Sequence, residues 1–160
     1  MGQGYLVGRR VRLLEGTDLH ASYGLTPALR GLTVYGNPGE SVAILGPSGC
    51  GKTTILRCLA GLDVPDRGRI AWGTEVWFDA SGRIHRNPQA RQVGYLVQEY
   101  ALFPHLTVFE NIAFGLRVAR VPAAEVSARV NDILARVDIT PAEAGRPPDR
   151  LSGGQRQRVA

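Results

Sequence analysis

The run Gly46-Pro47-Ser48-Gly49-Cys50-Gly51-Lys52-Thr53 constrains this chain more than any other feature. It is entered from an apolar run at residues 42–45 and left through residues 52–62, which hold no helix breaker before Gly61. Glycine at 46, 49 and 51 lets the backbone turn inward, so that successive amides aim at one point with no side chain in the way. A helix starting at Gly51 or Lys52 adds its positive end to that focus. Strand, amide-rich loop and helix start together make a cradle for a phosphate chain, the pattern GxxxxGK[ST]. Lys52 is expected to reach the β- and γ-phosphates, the Thr53 hydroxyl to bind Mg2+, and Thr54 to donate to a phosphate oxygen. The expected ligand is therefore a nucleoside triphosphate with magnesium. The loop alone does not choose between a kinase, a GTPase, a motor and a transporter.

The rest of the chain supports an α/β core with a helical insert. Strands are expected at residues 11–14, 29–35, 41–45, 69–72, 75–78 and 93–97, separated by Gly and Pro turns such as residues 36–39. From Pro104 onward the period becomes helical. Thr107 and Glu110 have capping-box spacing, and Val126, Val130, Ile133, Leu134 and Val137 fall on one face of a helix over residues 123–137.

Composition matters mainly for what it excludes. A net charge of +5 and a pI near 9.8 raise the question of nucleic acid. The arginines are scattered, however, often beside acids as in Asp66-Arg67 and Asp149-Arg150, which reads as a solvated surface. No nucleic-acid partner is expected. Lys52 is the single lysine among 19 basic residues, at the position where a compact ammonium is needed. Cys50 and Cys58 form no CxxC pair and no His stands at ligand spacing, so redox and metal-cluster readings lack support. The first residues show no apolar core behind a basic head, and no apolar run approaches the ~20 residues of a membrane span.

A second motif, Leu151-Ser152-Gly153-Gly154-Gln155, narrows the choice. Ser152 is a good N-cap, Gln155 completes a capping box, and Gly153 and Gly154 leave the amides of a helix start uncovered, which suits an anion. Together with the phosphate loop, this motif resembles the signature of the ATP-binding cassette family. The resemblance runs from Leu13 to Ala160.

It implies an α/β P-loop NTPase core with an N-terminal antiparallel β region and a helical subdomain, the C-terminal part of the core missing. The implied divisions are 1–103 for the partial nucleotide-binding core, 104–150 for the helical subdomain, and 151–160 for the signature motif and the start of its helix. ATP and Mg2+ are the implied ligands, held by residues 46–54 with Thr53 and Gln98 on the metal. Lys52, Gln98 and Ser152 are the implied catalytic residues. Tyr23 lies about where the family places an aromatic that stacks on adenine. Residues 152–155 would face the ATP of a second, head-to-tail subunit. The implied partners are that subunit and transmembrane permease subunits, at the cytoplasmic face of the membrane.

Residues 101–116 look like importers of ferric iron, molybdate, sulfate and polyamines. Residues 56–61 and 94–99 lean toward ferric iron, whereas 77–79 and 82–84 lean toward molybdate and sulfate. The alternatives are a DNA-repair or chromosome-organising ATPase of the same superfamily, or a non-catalytic truncated remnant. The family also needs an Asp-Glu pair after four apolar residues and a later histidine. Asp79 and Asp138 do not fit, and no acid lies beyond Asp149. The expectation is a chain truncated after the signature, unstable alone and without ATPase activity.

Overall fold

The computed structural model describes residues 13–97 and 100–160. They form two compact units, one running to Gly94 and one over Tyr95–Ala160, each with its own apolar core.

The first unit is built on five antiparallel strands: β1 (Leu14–Tyr23), β2 (Thr26–Gly36), β3 (Arg67–Trp72), β4 (Glu75–Asp79) and β5 (Ile84–His85). Their spatial order is β2-β1-β3-β4-β5. β1 and β2 are joined by a two-residue turn, Gly24-Leu25, in which Gly24 takes the positive φ of 59° that such tight hairpins demand. Tyr23 thus ends β1 directly opposite Thr26. Helix α1 (Lys52–Ala60) places Ile55 and Cys58, three residues apart on one face, against Leu19, Leu29, Ile70 and Phe78 of the sheet. It ends at Gly61, where the Leu62 amide reaches back to the Arg57 carbonyl at 2.9 Å. A short helix, α2 (Pro88–Arg91), is opened by the Asn87 side chain accepting from the Ala90 amide.

The second unit contains α3 (Val108–Val118), α4 (Ala123–Arg136), α5 (Pro141–Ala144), a 3-10 turn at Pro148–Arg150, and α6 (Gly153–Val159). Val108 and Ala113 of α3 pack with Val126, Val130 and Leu134 of α4, and with Ile139, Ala144 and Leu151. Capping boxes close three helix starts: Thr107 with Glu110, Thr140 with Glu143, and Ser152 with Gln155.

The strands expected near 29–35, 69–72 and 75–78 are present as β2, β3 and β4, and the helices at 52–62 and 123–137 as α1 and α4. Of the strand expected at 11–14, Leu14 opens β1, while Val11 and Arg12 lie outside the described residues. Residues 41–45 and 93–97 are not strands. Propensity alone does not make a strand: it needs a neighbouring ladder, and no described strand pairs with either segment. Val42 and Leu45 are exposed there, while Ile44 packs on the first core. Ile133, expected on the inner face of α4, is 41% exposed. Its neighbour Leu134 takes the inward position, because the buried stripe follows 126, 130 and 134.

Candidate nucleotide-binding site

The start of α1 is left open; α4 also lacks a side-chain cap but carries Glu125 in its first turn, whereas α1 has neither cap nor acid. Its N-cap is Gly51, at φ 92°, with no side-chain cap and no acid in the first turn. By helix geometry the amides of Lys52, Thr53 and Thr54 have no intrahelical acceptor, so they point outward as free donors at the positive end of the helix. Glycine at 51 is required twice over. A Cβ there would lie 2.5 Å from the Ala28 carbonyl oxygen, and the left-handed φ disfavours any other residue. The loop is thereby seated directly on β2.

The Lys52 ammonium bends back over this loop, donating to the Gly46 carbonyl at 2.9 Å and the Pro47 carbonyl at 2.6 Å. It is therefore held at the loop with two acceptors that phosphate oxygens can replace. Thr53 is exposed and Thr54 buried. Pro47, Ser48, Gly49 and Cys50 are exposed along the loop, and the Cys50 sulfur lies 3.8 Å from the Lys52 nitrogen.

Tyr23 is brought to the same place. It lines a cleft with Gly49, Gly51, Lys52, Thr53 and Thr54, backed by Thr26, Pro27 and Ala28 of β2. Its hydroxyl donates to Asp63 Oδ2 at 2.5 Å. The Asp63 carboxylate in turn accepts two bonds from the Arg57 guanidinium, each 2.8 Å long. Those Arg57 bonds hold the Asp63 carboxyl below its ordinary range, and the bond to Asp63 raises the Tyr23 phenol above its own. Sequence reading missed Asp63 and Arg57. Tyr23 and Asp63 are 40 positions apart, and no local pattern signals a pairing that only the β1–α1 packing creates.

Ser152, Gly153, Gly154 and Gln155 begin α6 in the second unit. Ser152 Oγ accepts from the Gln155 amide at 3.2 Å, and Gln155 Oε1 accepts from the Ser152 amide at 2.9 Å. Gln155 Nε2 also donates to Glu143 at 2.6 Å, linking this capping box to that of α5. Nothing stands within 4 Å of where a Cβ would be at Gly153 or Gly154, so the two glycines are uncovered. Gln98 lies outside the described residues.

Among the described residues no three His, Cys, Asp or Glu side chains converge as a metal cage. The Thr53 hydroxyl at the open helix start fits Mg2+, a hard ion that takes few protein ligands and shares the oxygens of a bound phosphate chain. Among the described residues, too, no helix is long and apolar enough to cross a membrane.

A family model described as ABC transporter matches residues 29–160. The chain belongs to the ABC transporter family. This ABC chain is 46% identical over 143 residues to the sulfate/thiosulfate import ATP-binding protein of Gloeobacter violaceus, an overlap of 89% of the chain and 40% of that protein. It is 47% identical over 148 residues to an Fe(3+) ions import ATP-binding protein of Rhodococcus jostii, covering 92% and 40%. Among solved structures it is similar to the dimeric, post-hydrolysis ATP-binding cassette MJ0796 bound to ADP and Pi. There the TM-score is 0.75 at 26% identity, over 91% of this chain and 66% of that one. The ABC chain thus spans 40% of the length of these two curated relatives.

Proposed function

We propose that this chain is the nucleotide-binding part of the ATP-hydrolysing subunit of an importer for a small solute. The observation that carries the reading is the open start of α1, with Lys52 and Tyr23 in one cleft. Residues 1–103 then form the nucleotide core, 104–150 the helical subdomain, and 151–160 the signature and the start of its helix.

In this reading the adenine stacks on Tyr23, and the phosphates lie across the amides of residues 46–54. Lys52 exchanges its loop carbonyls for the β- and γ-phosphate oxygens and offsets the charge that builds on them as water attacks the γ-phosphorus. ATP and water become ADP and inorganic phosphate. Thr53 and Gln98 would hold Mg2+, which when bound neutralises phosphate charge. Ser152 and Gly154 meet the γ-phosphate held by a second cassette in a head-to-tail pair, and the solved dimer of a similar cassette supports that partner. Permease subunits complete the importer at the cytoplasmic face of the membrane.

We infer an inorganic ion such as sulfate, molybdate or ferric iron as the solute, and the names of the two relatives above support sulfate and ferric iron. Among the described residues that line this cleft, none is an acid that could orient the attacking water. A polypeptide of these 160 residues alone is therefore expected to turn ATP over no faster than background.

The test is ATP-driven uptake by the intact protein with its permease in membrane vesicles. Uptake of one ion class, lost in Lys52→Ala, supports the reading. Turnover that survives Lys52→Ala overturns the site. Turnover that answers to DNA instead of solute overturns the transport assignment in favour of a DNA-repair or chromosome ATPase.

A further inference from the structure

The Tyr23 ring is poorly held by packing. The residue is 55% exposed, it is absent from both apolar cores, and the turn beside it carries a fully exposed Leu25. A tyrosine on the last position of a strand swings about two torsions unless its far end is tied.

Here the far end is tied. The hydroxyl donates to Asp63 at 2.5 Å, and the Asp63 carboxylate is gripped by both arms of Arg57 at 2.8 Å. The Asp63 side chain is 19% exposed and that of Arg57 41%, so the grip rests on its two-point geometry more than on exclusion of solvent. Arg57 lies on α1, the helix whose open start faces the phosphate position, and Thr54 of the same helix lines the cleft with Tyr23. One rigid element therefore holds both ends of the cleft.

We propose that Asp63, braced by Arg57, is the positioning residue that fixes the Tyr23 ring and so sets the nucleobase share of ATP affinity. The proposal rests on the reading of Tyr23 as the ring that stacks on adenine. A ring held in place before the ligand arrives loses little freedom on binding, and an untethered ring must be ordered by the ligand itself. The phosphate part of the ligand does not touch this brace, so its affinity is independent of Asp63.

The experiment measures dissociation constants for Mg-ATP and for Mg-tripolyphosphate, which lacks the base, on the intact protein. The variants are Tyr23→Ala, Tyr23→Phe, Asp63→Asn and the double variant Tyr23→Phe/Asp63→Asn. Tyr23→Phe and Asp63→Asn are each expected to weaken ATP by ~3- to 10-fold, the scale of one lost hydrogen bond, and to leave tripolyphosphate unchanged. The double variant should be no worse than the weaker single one, because Tyr23→Phe removes the contact that Asp63→Asn weakens by taking away its charge and one of the two oxygens gripped by Arg57. Tyr23→Ala should weaken ATP further, again sparing tripolyphosphate.

Wild-type ATP affinity in Tyr23→Phe, with a loss in Tyr23→Ala, overturns the brace and leaves the stacking role standing. Unchanged affinity in Tyr23→Ala overturns the stacking role and the brace with it. If Asp63→Asn loses tripolyphosphate binding too, it has damaged the fold, and Tyr23→Phe, which removes one hydroxyl, decides alone.

Discussion

At the scale of single residues, the cleft depends on positions with no tolerance for substitution. Gly51 combines a left-handed φ of 92° with a close approach to the Ala28 carbonyl. Gly51→Ala is expected to lower stability by ~1–3 kcal/mol, the cost of such backbone strain, and to weaken ATP binding at the same time. A urea titration and a nucleotide titration on one preparation check both effects. The Tyr23–Asp63–Arg57 chain adds a pH signature. The Arg57 bonds depress the Asp63 carboxyl below its ordinary 3.8. Its contribution to stability is therefore full above pH 3.8 and is lost as pH falls through the lower folded-state value. The stability difference between wild type and Asp63→Asn is expected to stay level from neutral pH down to that point and to shrink below it. The Tyr23 phenol moves the other way, above 10.0, so its contribution is full below pH 10.0 and fades as pH rises through the higher folded value.

At the scale of elements, the helix ends show where the chain uses its own caps and where it leaves room for a ligand. Thr107 and Glu110 close the start of α3 reciprocally, the Thr107 amide donating to Glu110 at 2.8 Å. Thr107→Ala is expected to cost ~1 kcal/mol in thermal or urea unfolding, the usual loss of an N-cap. α1 is arranged the other way, with an open start and a closed end. Buried Arg91 donates to the carbonyls of Cys58 and Leu59 at 2.8 Å and of Arg86 at 3.0 Å, and lies over the Trp77 ring. A lysine has a single nitrogen and no planar fork to span three carbonyls. Arg91→Lys is therefore expected to destabilise by ~2–3 kcal/mol, measured by denaturant unfolding. Because Arg91 secures the end of α1, the same variant tests whether the anchoring of this helix matters to a cleft at its other end.

At the scale of the whole molecule, two separate cores set how damage should spread. Ile55, fully buried, belongs to the first core and Leu134 to the second. Ile55→Ala and Leu134→Ala should each cost ~2–5 kcal/mol, as cavities of that size do. Amide hydrogen exchange should show the loss of protection first among the residues of the mutated unit's own core. A loss spread evenly over both cores from either variant would contradict two units with separate cores.

The glycine-rich turn ahead of α1, the two helices with clear period and breakers, and the capping boxes at Thr107 and Ser152 were legible in the sequence. Each depends on contacts within a few positions: amides along one loop, a side chain three residues from a backbone N–H, apolar residues one turn apart. The segments at 41–45 and 93–97 read as strands because composition reports only a preference for extended backbone. Whether a ladder forms is decided by a neighbour far away in the chain. The brace on Tyr23 belongs to the same class. A tyrosine ending β1, a carboxylate just past α1 and an arginine within α1 carry no mutual signal in one dimension, and only the packing of α1 on the sheet brings them within bonding distance. Sequence alone marked the loop proposed to hold a phosphate chain; tertiary packing decided what holds the ring beside it, because a hydrogen bond is set by distance in space, not separation along the chain.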